Sequence, residues 1–225
     1  ASMYLTYQND SIKKRVEPLS KKINCLGIMP CDVSETSSLE NVCNGIKGNI
    51  DFFVHAVAYS DKNELSGKYL NTTRENFLKT LHISAYSLTE MVRMLSPKMN
   101  DGASIMALTY YGSTRYMQSY NVMGVAKAAL ETSIKYLAVD MGDRGIRVNA
   151  ISAGPMRTLA GAVINKSRKI YNYTIENSPI KKPLSLEDIG KSSVYLMSDL
   201  SKGVTGEILY VDNGYNNVGM SIQDL

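Results

Sequence analysis

The sequence predicts one α/β domain over residues 1–225, built on a doubly wound parallel sheet with helices on both faces. Three observations lead there. Short strand-type runs alternate with helical patterns along the chain. The runs at 24–29 and 52–57 are almost continuously apolar, as parallel strands buried on both faces are. No Pro/Gly/Ser-rich stretch or shift of composition marks a linker.

In order, residues 2–7 read as a strand and 10–22 as a helix whose polar face carries Lys13, Lys14, Arg15 and Glu17. The strands at 24–29 and 52–57 flank a helix announced by a capping box, Ser37-Ser38-Leu39-Glu40. From Thr73 a long helix follows, with Phe77, Leu81, Ser84, Leu88, Met91 and Leu95 as its buried stripe, ending before Pro97. An Asp101-Gly102 turn leads into a strand at 103–109, and a second long helix spans 121–141 with Gly124, Ala126, Ala128 and Ala129 near its start. A strand at 146–151, a Gly154-Pro155 loop and a helical segment at 159–177 come next. A helix capped by Ser185 with Asp188 and a strand at 207–211 close the pattern.

Composition narrows the function classes. With 44% hydrophobic and 20% charged residues the chain is neither disordered nor a coiled coil. A net charge of +4 is too mild and dispersed for a protein that grips nucleic acid. Cys25, Cys31 and Cys43 form no Cys-x-x-Cys pair, and His55 and His82 are the only histidines, which argues against a zinc site or a disulfide framework. His55 reads as a core histidine. Thiols in apolar and helical settings suit a reducing compartment, hence the cytoplasm. No run approaches the roughly 18 apolar residues of a membrane span.

The strongest chemical signal is Tyr120 with Lys127, in Ser119-Tyr-Asn-Val-Met-Gly-Val-Ala-Lys127. At about 100° per residue, seven positions bring both side chains within roughly 20° of one helix face, about two turns apart. Both can therefore reach one ligand. A phenol can give a proton to a developing oxyanion, and a nearby ammonium would lower its pKa and donate to a ribose. An exposed Tyr and a solvated Lys are the plainer reading of the same pair. The Gly-x-Gly turn of a dinucleotide site is absent from the 16 glycines, and Gly45-x-x-Gly48 sits at a helix end.

The Tyr-x6-Lys spacing, Leu108-Thr-Tyr110-Tyr-Gly112, Arg147-Val-Asn-Ala-Ile-Ser-Ala-Gly-Pro155-Met-Arg-Thr158-Leu and Thr205-Gly-Glu-Ile-Leu-Tyr-Val-Asp-Asn-Gly214 together resemble bacterial-type enoyl-[acyl-carrier-protein] reductase, a divergent short-chain dehydrogenase/reductase. The resemblance implies reduction of the trans-2 double bond of an acyl carrier protein thioester, in fatty-acid elongation, by a homotetramer. It implies Tyr120 and Tyr110 as active-site tyrosines and Lys127 as the ribose anchor. Gln8 matches the adenosine-side residue, Asp32-Val33 the pair at the adenine, and Val57 a backbone contact to the cofactor. Met156, Arg157, Thr158, Leu159 and Ala160 match the nicotinamide-side loop, and Ser60 a substrate contact.

Bland alternatives stand beside these assignments: Asp32 as a turn cap, Tyr110 as a packing aromatic, Val57 as plain core. With Gln8-Asn-Asp10 after the first strand and no adjacent cation for a 2′-phosphate, NADH is favoured over NADPH. Residues 159–170 are expected to form a lid, and Lys166, Arg168 and Lys169, with Lys181 and Lys182, a landing patch for the acidic carrier. The chain opens at what resembles the family's second strand, so the family's first strand, glycine-rich loop and helix, about 30 to 40 residues, have no counterpart in it. Another short-chain reductase, or a non-catalytic binding subunit, would share the fold. No tyrosine stands in the Tyr-x3-Lys spacing of the related ketone reductases.

Overall fold

The computed structural model describes residues 1–156, 158 and 167–220. The elements are β1 (Tyr4–Tyr7), α1 (Asp10–Lys22), β2 (Gly27–Pro30), α2 (Thr36–Gly45), β3 (Ile50–His55), α3 (Arg74–Leu81), α4 (Ser87–Leu95), β4 (Met99–Thr109), α5 (Val122–Asp140), β5 (Arg147–Ala153), α6 (Ser167–Asn177), α7 (Leu186–Met197) and β6 (Ile208–Val211). Every strand pairing is parallel, as the βαβ alternation requires. The hydrogen bonds form two ladders, β1-β2 and β3-β4-β5-β6. Packing joins them: Cys31 and Val33, just past β2, share a core cluster with Ile83, Met91 and Leu95, and Ile50 and Phe53 of β3 pack on it.

Side-chain alternation along β4 explains the double winding. Ile105 and Ala107 face Leu88 and Val92 of α4 and Leu130 and Ile134 of α5. Met106, one residue out of step, faces Ile189 and Leu196 of α7 on the other side. Successive residues of a strand point to opposite faces, so both faces of this one are covered by helices.

Local details depart from expectation in three places. The long helix starts at the expected place, capped by Thr73 Oγ1, which accepts the Asn76 N–H, and its stripe is buried from Ser84 onward. A π turn at His82–Tyr86 interrupts it, however, and divides it into α3 and α4. Ser84 Oγ exchanges hydrogen bonds with the backbone of Tyr59, so the turn aims this hydroxyl at the segment after β3, while Ser87 Oγ donates back to Ile83 O within the helix. Helix α2 lacks the expected capping box: it starts after Glu35, and Ser38 Oγ instead accepts the Asp32 amide at the end of β2. The Asp101-Gly102 turn is absorbed into β4, where Gly102 at φ +78 takes the kink and the register against β3 shifts between Ile50 and Phe52.

The Ser185–Asp188 capping box of α7 is present. Cys31 and Cys43 are buried thiols, and Cys25 is half-buried. His55 is a core residue with only one nitrogen satisfied: Nε2 lies 2.8 Å from Ser87 Oγ, while Nδ1 is buried without a partner. Burial, and then the charge of Lys127, pull its pKa to about 3, so it stays neutral at ordinary pH. Among the described residues, no helix is long and apolar enough to cross a membrane, and no His/Cys/Asp/Glu group could hold a metal ion.

Candidate active site

A cleft of about 1390 Å³ opens beyond the carboxyl ends of β3, β4 and β5, lined there by Ala56 and Val57, by Leu108 to Tyr110, and by Ala153 to Pro155. This is where an open parallel sheet offers a ligand its crevice.

Helix α5 supplies the polar groups at its wall. Tyr120 precedes its first residue and Lys127 lies in its second turn; both line the cleft, and both are buried at 8% and 6% exposure. Lys127 Nζ donates to Leu108 O at 2.8 Å. Burial pulls the Lys127 pKa down to about 8, against the opposing pull of Glu131 one turn along the helix. The Glu131 carboxylate accepts the Thr109 hydroxyl at 2.7 Å and so ties α5 to the end of β4.

The Tyr120 phenol behaves differently from expectation. Burial, followed by the neighbouring Tyr110 and Glu131, pushes its pKa well above the usual tyrosine value, so the ammonium does not set it. The group is a neutral hydrogen-bond donor. Tyr110 meets it edge-on, with ring centroids 5.0 Å apart and planes at 70°, and its own pKa is also raised by burial.

Two glycines make room for that arrangement. A Cβ on Gly112 would stand 2.5 Å from Tyr120 Cδ1, and one on Gly124 would stand 2.7 Å from Gly112 O. The turn after β4 and the first turn of α5 thus touch at backbone distance, with the Tyr120 ring laid over the contact. Gly154 performs a similar service on the far wall, where a Cβ would meet Asp212 Cα at 3.0 Å.

The remaining sequence-predicted residues fall into three groups. Val57, Ser60, Met156 and Thr158 line the cleft with Tyr110, Tyr120 and Lys127. Ser60 is buried, its hydroxyl accepting from Thr80 Oγ1 at 2.9 Å and lying 3.2 Å from the Asn76 amide nitrogen. Gln8 and Asp32, from the ends of β1 and β2, are joined by a 3.1 Å hydrogen bond but do not line the cleft. Asp32 also accepts from the amide and hydroxyl of Ser34, which lowers its pKa, so it is a turn cap as well. The Val33 side chain packs in the core.

Arg168 lines the cleft at the start of α6, and Lys169 is exposed beside it. Lys181 and Lys182 are also exposed, with Lys181 Nζ donating to Glu176 O. Arg157, Leu159, Ala160 and Lys166, with most of the expected lid, lie outside the described residues. The sequence reading missed Glu131, Thr109, Asn76 and the role of Gly112. A buried acid one helical turn beyond a functional Lys was the available signal for Glu131.

The packing generates a direct test. Gly112→Ala should displace the Tyr120 ring in a crystal structure and cost about 1–3 kcal/mol in denaturant unfolding, as overpacking does. An unmoved ring at unchanged stability would contradict the contact.

Comparisons with known proteins agree with this geometry. The family model described as "Enoyl-(Acyl carrier protein) reductase" matches residues 1–216. "Enoyl-[acyl-carrier-protein] reductase [NADH] 1" of Rhizobium meliloti (strain 1021) is 52% identical over 227 residues, covering 100% of this chain and 84% of that protein. The Bacillus subtilis (strain 168) NADH enzyme is 42% identical, covering 96% of this chain and 86% of that one. The crystal structure of the Anaplasma phagocytophilum reductase in complex with NAD superposes with a TM-score of 0.94 at 49% identity, over 98% of this chain and 86% of that one. The chain therefore belongs to the enoyl-[acyl-carrier-protein] reductase family.

Proposed function

We propose that the cleft is the site of NADH-dependent reduction of trans-2 enoyl thioesters borne by acyl carrier protein, a step of fatty-acid elongation. The observation that carries this reading is the Tyr120–Lys127 pair, which lines one mainly apolar cleft, Tyr120 from the turn that leads into α5 and Lys127 from the helix itself. The fold relatives share the chemistry in their names, and the reading of this site's residues rests on the geometry.

The residues fit a dinucleotide. Lys127 carries three N–H donors, of which Leu108 O takes one, leaving donors for ribose hydroxyls. Gln8 and Asp32 stand together at the ends of neighbouring strands, where an acidic group suits a ribose 2′-OH and no partner for a 2′-phosphate adjoins Gln8. NADH is thus preferred to NADPH. Met156 and Thr158 would border the nicotinamide end and Val57 would contact the cofactor through its backbone, while Arg157, Leu159 and Ala160 belong to the same sequence motif.

Bound NADH would supply a hydride for the β-carbon of the thioester, and a proton taken up from water at the α-carbon would complete the reduction. The charge that then develops on the thioester oxygen is met by the neutral Tyr120 phenol, a donor already oriented in a desolvated wall. Lys127 adds positive potential and holds the ribose, while Tyr110 and Ser60 border the acyl substrate. A donor fixed by packing needs little reorganisation when the oxyanion appears. The longer Tyr-to-Lys spacing suits an oxygen two bonds further from the hydride acceptor than in a ketone.

The acyl carrier protein is the macromolecular partner. Arg168 at the cleft and the exposed Lys169, Lys181 and Lys182 would form a positive patch that steers an acidic carrier, and Lys166 belongs to the same patch by its place in the sequence. A homotetramer would cover the exposed apolar side chains of the long helices, among them Leu78 and Tyr86 before α4 and Tyr136 and Val139 on α5. Free thiols, two of them buried, suit a cytoplasmic enzyme.

Lys127→Ala should weaken NADH binding in a fluorescence titration, and wild-type affinity should fall as pH rises through about 8, where the ammonium loses its proton. Tyr120→Phe should leave binding intact and lower kcat roughly 10²-fold. Normal NADH affinity in Lys127→Ala would remove its ribose role. For the docking rim, Arg168→Glu with Lys169→Glu should reduce kcat/KM for the carrier-bound substrate, more at low salt, while sparing a short coenzyme A thioester. Equal losses with both substrates would rule the rim out as a docking site.

A further inference from the structure

Tyr120 stands between two residues in backbone conformations that side chains disfavour. Ser119 has φ +61 and Asn121 φ +37, the latter with ψ −122, a combination glycine adopts most readily. Such a conformation persists only where surrounding contacts over-determine it. The contacts are visible. Asn121 Nδ2 donates to Glu64 O at 2.9 Å and reaches Gly67 O at 3.5 Å, across 57 and 54 residues of chain.

The segment that receives Asn121 is itself fixed. The Glu64 carboxylate accepts the Thr73 amide at 2.9 Å, the Thr73 hydroxyl at 2.8 Å and the Asn76 amide nitrogen at 3.1 Å, which anchors it to the N-terminus of α3. Those bonds hold the carboxylate below its usual pKa, so it remains an acceptor. Asn76 is buried, and its Oδ1 also takes the Asp61 amide, while its Nδ2 lies 3.2 Å from Ser60 Oγ in the cleft wall. Leu65, between the two ends of the tie, is buried against Tyr120, Met123 and Ala126. Asn121 itself does not line the cleft.

We propose that Asn121 is a positioning residue for Tyr120, holding it in a strained turn against a rigid template, residues 60–76, whose keystone is Glu64. The same template carries Ser60, so the substrate side of the cleft and the phenol are set by one hydrogen-bonded frame. This rests on the reading of Tyr120 as the oxyanion donor. Small misplacements of such a donor are costly in rate, because the geometry and not the strength of the group is what the enzyme supplies.

A double-mutant cycle tests it. Asn121→Gly keeps the backbone conformation accessible and deletes the tie; Asn121→Asp keeps the side-chain size and deletes the donor. Both are measured for kcat, for NADH affinity by fluorescence and for Tm, alone and in a Tyr120→Phe background. The expected result is a kcat lowered about tenfold with NADH affinity unchanged and, for Asn121→Gly, a Tm close to wild type. In the Tyr120→Phe background neither substitution should lower kcat further, since residues that act as a unit are non-additive. Wild-type kcat in both Asn121 variants beside a slowed Tyr120→Phe would overturn this proposal alone. So would a loss of the same size in both backgrounds, which would mean that Asn121 acts on the fold and not through Tyr120. A Tyr120→Phe enzyme of full rate would instead overturn the reading of Tyr120, and this proposal with it.

Discussion

The site depends on the burial of two polar groups at the start of α5, Tyr120 in the turn before it and Lys127 in its second turn. Tyr120 and Lys127 are both almost fully removed from solvent, and each keeps its proton for a different reason. Desolvation disfavours any charged form, so it holds the phenol neutral and brings the ammonium's pKa down to about 8. Glu131, held by Thr109, opposes the second effect and reinforces the first, because a buried carboxylate favours a cation nearby and disfavours a phenolate. At neutral pH the wall therefore presents one neutral donor and one cation. His55, buried near Lys127, is kept uncharged by its own burial and by the charge of Lys127.

Close packing converts that electrostatic arrangement into a geometric one. Gly112 and Gly124 let the turn after β4 and the start of α5 meet without side chains between them, and the Tyr120 ring rests on the join. The π turn at His82–Tyr86 aims Ser84 at the backbone of Tyr59 and Ser87 at His55, anchoring the segment that carries Ser60. Cleft and sheet are thereby parts of one framework: the strands bring the loops to one edge, and hydrogen bonds from the helices fix where those loops stop.

Much of this was legible in the sequence. The apolar runs and helical stripes placed all six strands and the main helices to within a few residues, because burial on both faces of a parallel sheet leaves a strong pattern. The Tyr120–Lys127 pairing came from the family motifs in order, since the helical spacing alone left an exposed Tyr and a solvated Lys as the plainer reading and Tyr120 stands in the turn before α5. What escaped was tertiary. Ser38 looks like a capping residue but bonds the Asp32 amide, Asp101-Gly102 looks like a turn but is a kink within β4, and the π turn leaves no periodic mark. The raised pKa of Tyr120 escaped too, since the spacing shows an ammonium near a phenol and not how thoroughly both are desolvated.

That last point is the centre of the account, and one measurement addresses it directly. Carbon-13 NMR of ring-labelled tyrosine, with the Tyr120 resonance assigned by its absence in Tyr120→Phe, reports ionisation at the phenol carbon. Titrated from neutral pH to about 10 in the cofactor-free protein, the Tyr120 signal should remain that of a neutral phenol while exposed tyrosines begin to ionise. A phenolate shift with a midpoint near or below pH 8 would contradict the account, and would mean that the ammonium of Lys127, not burial, governs the group.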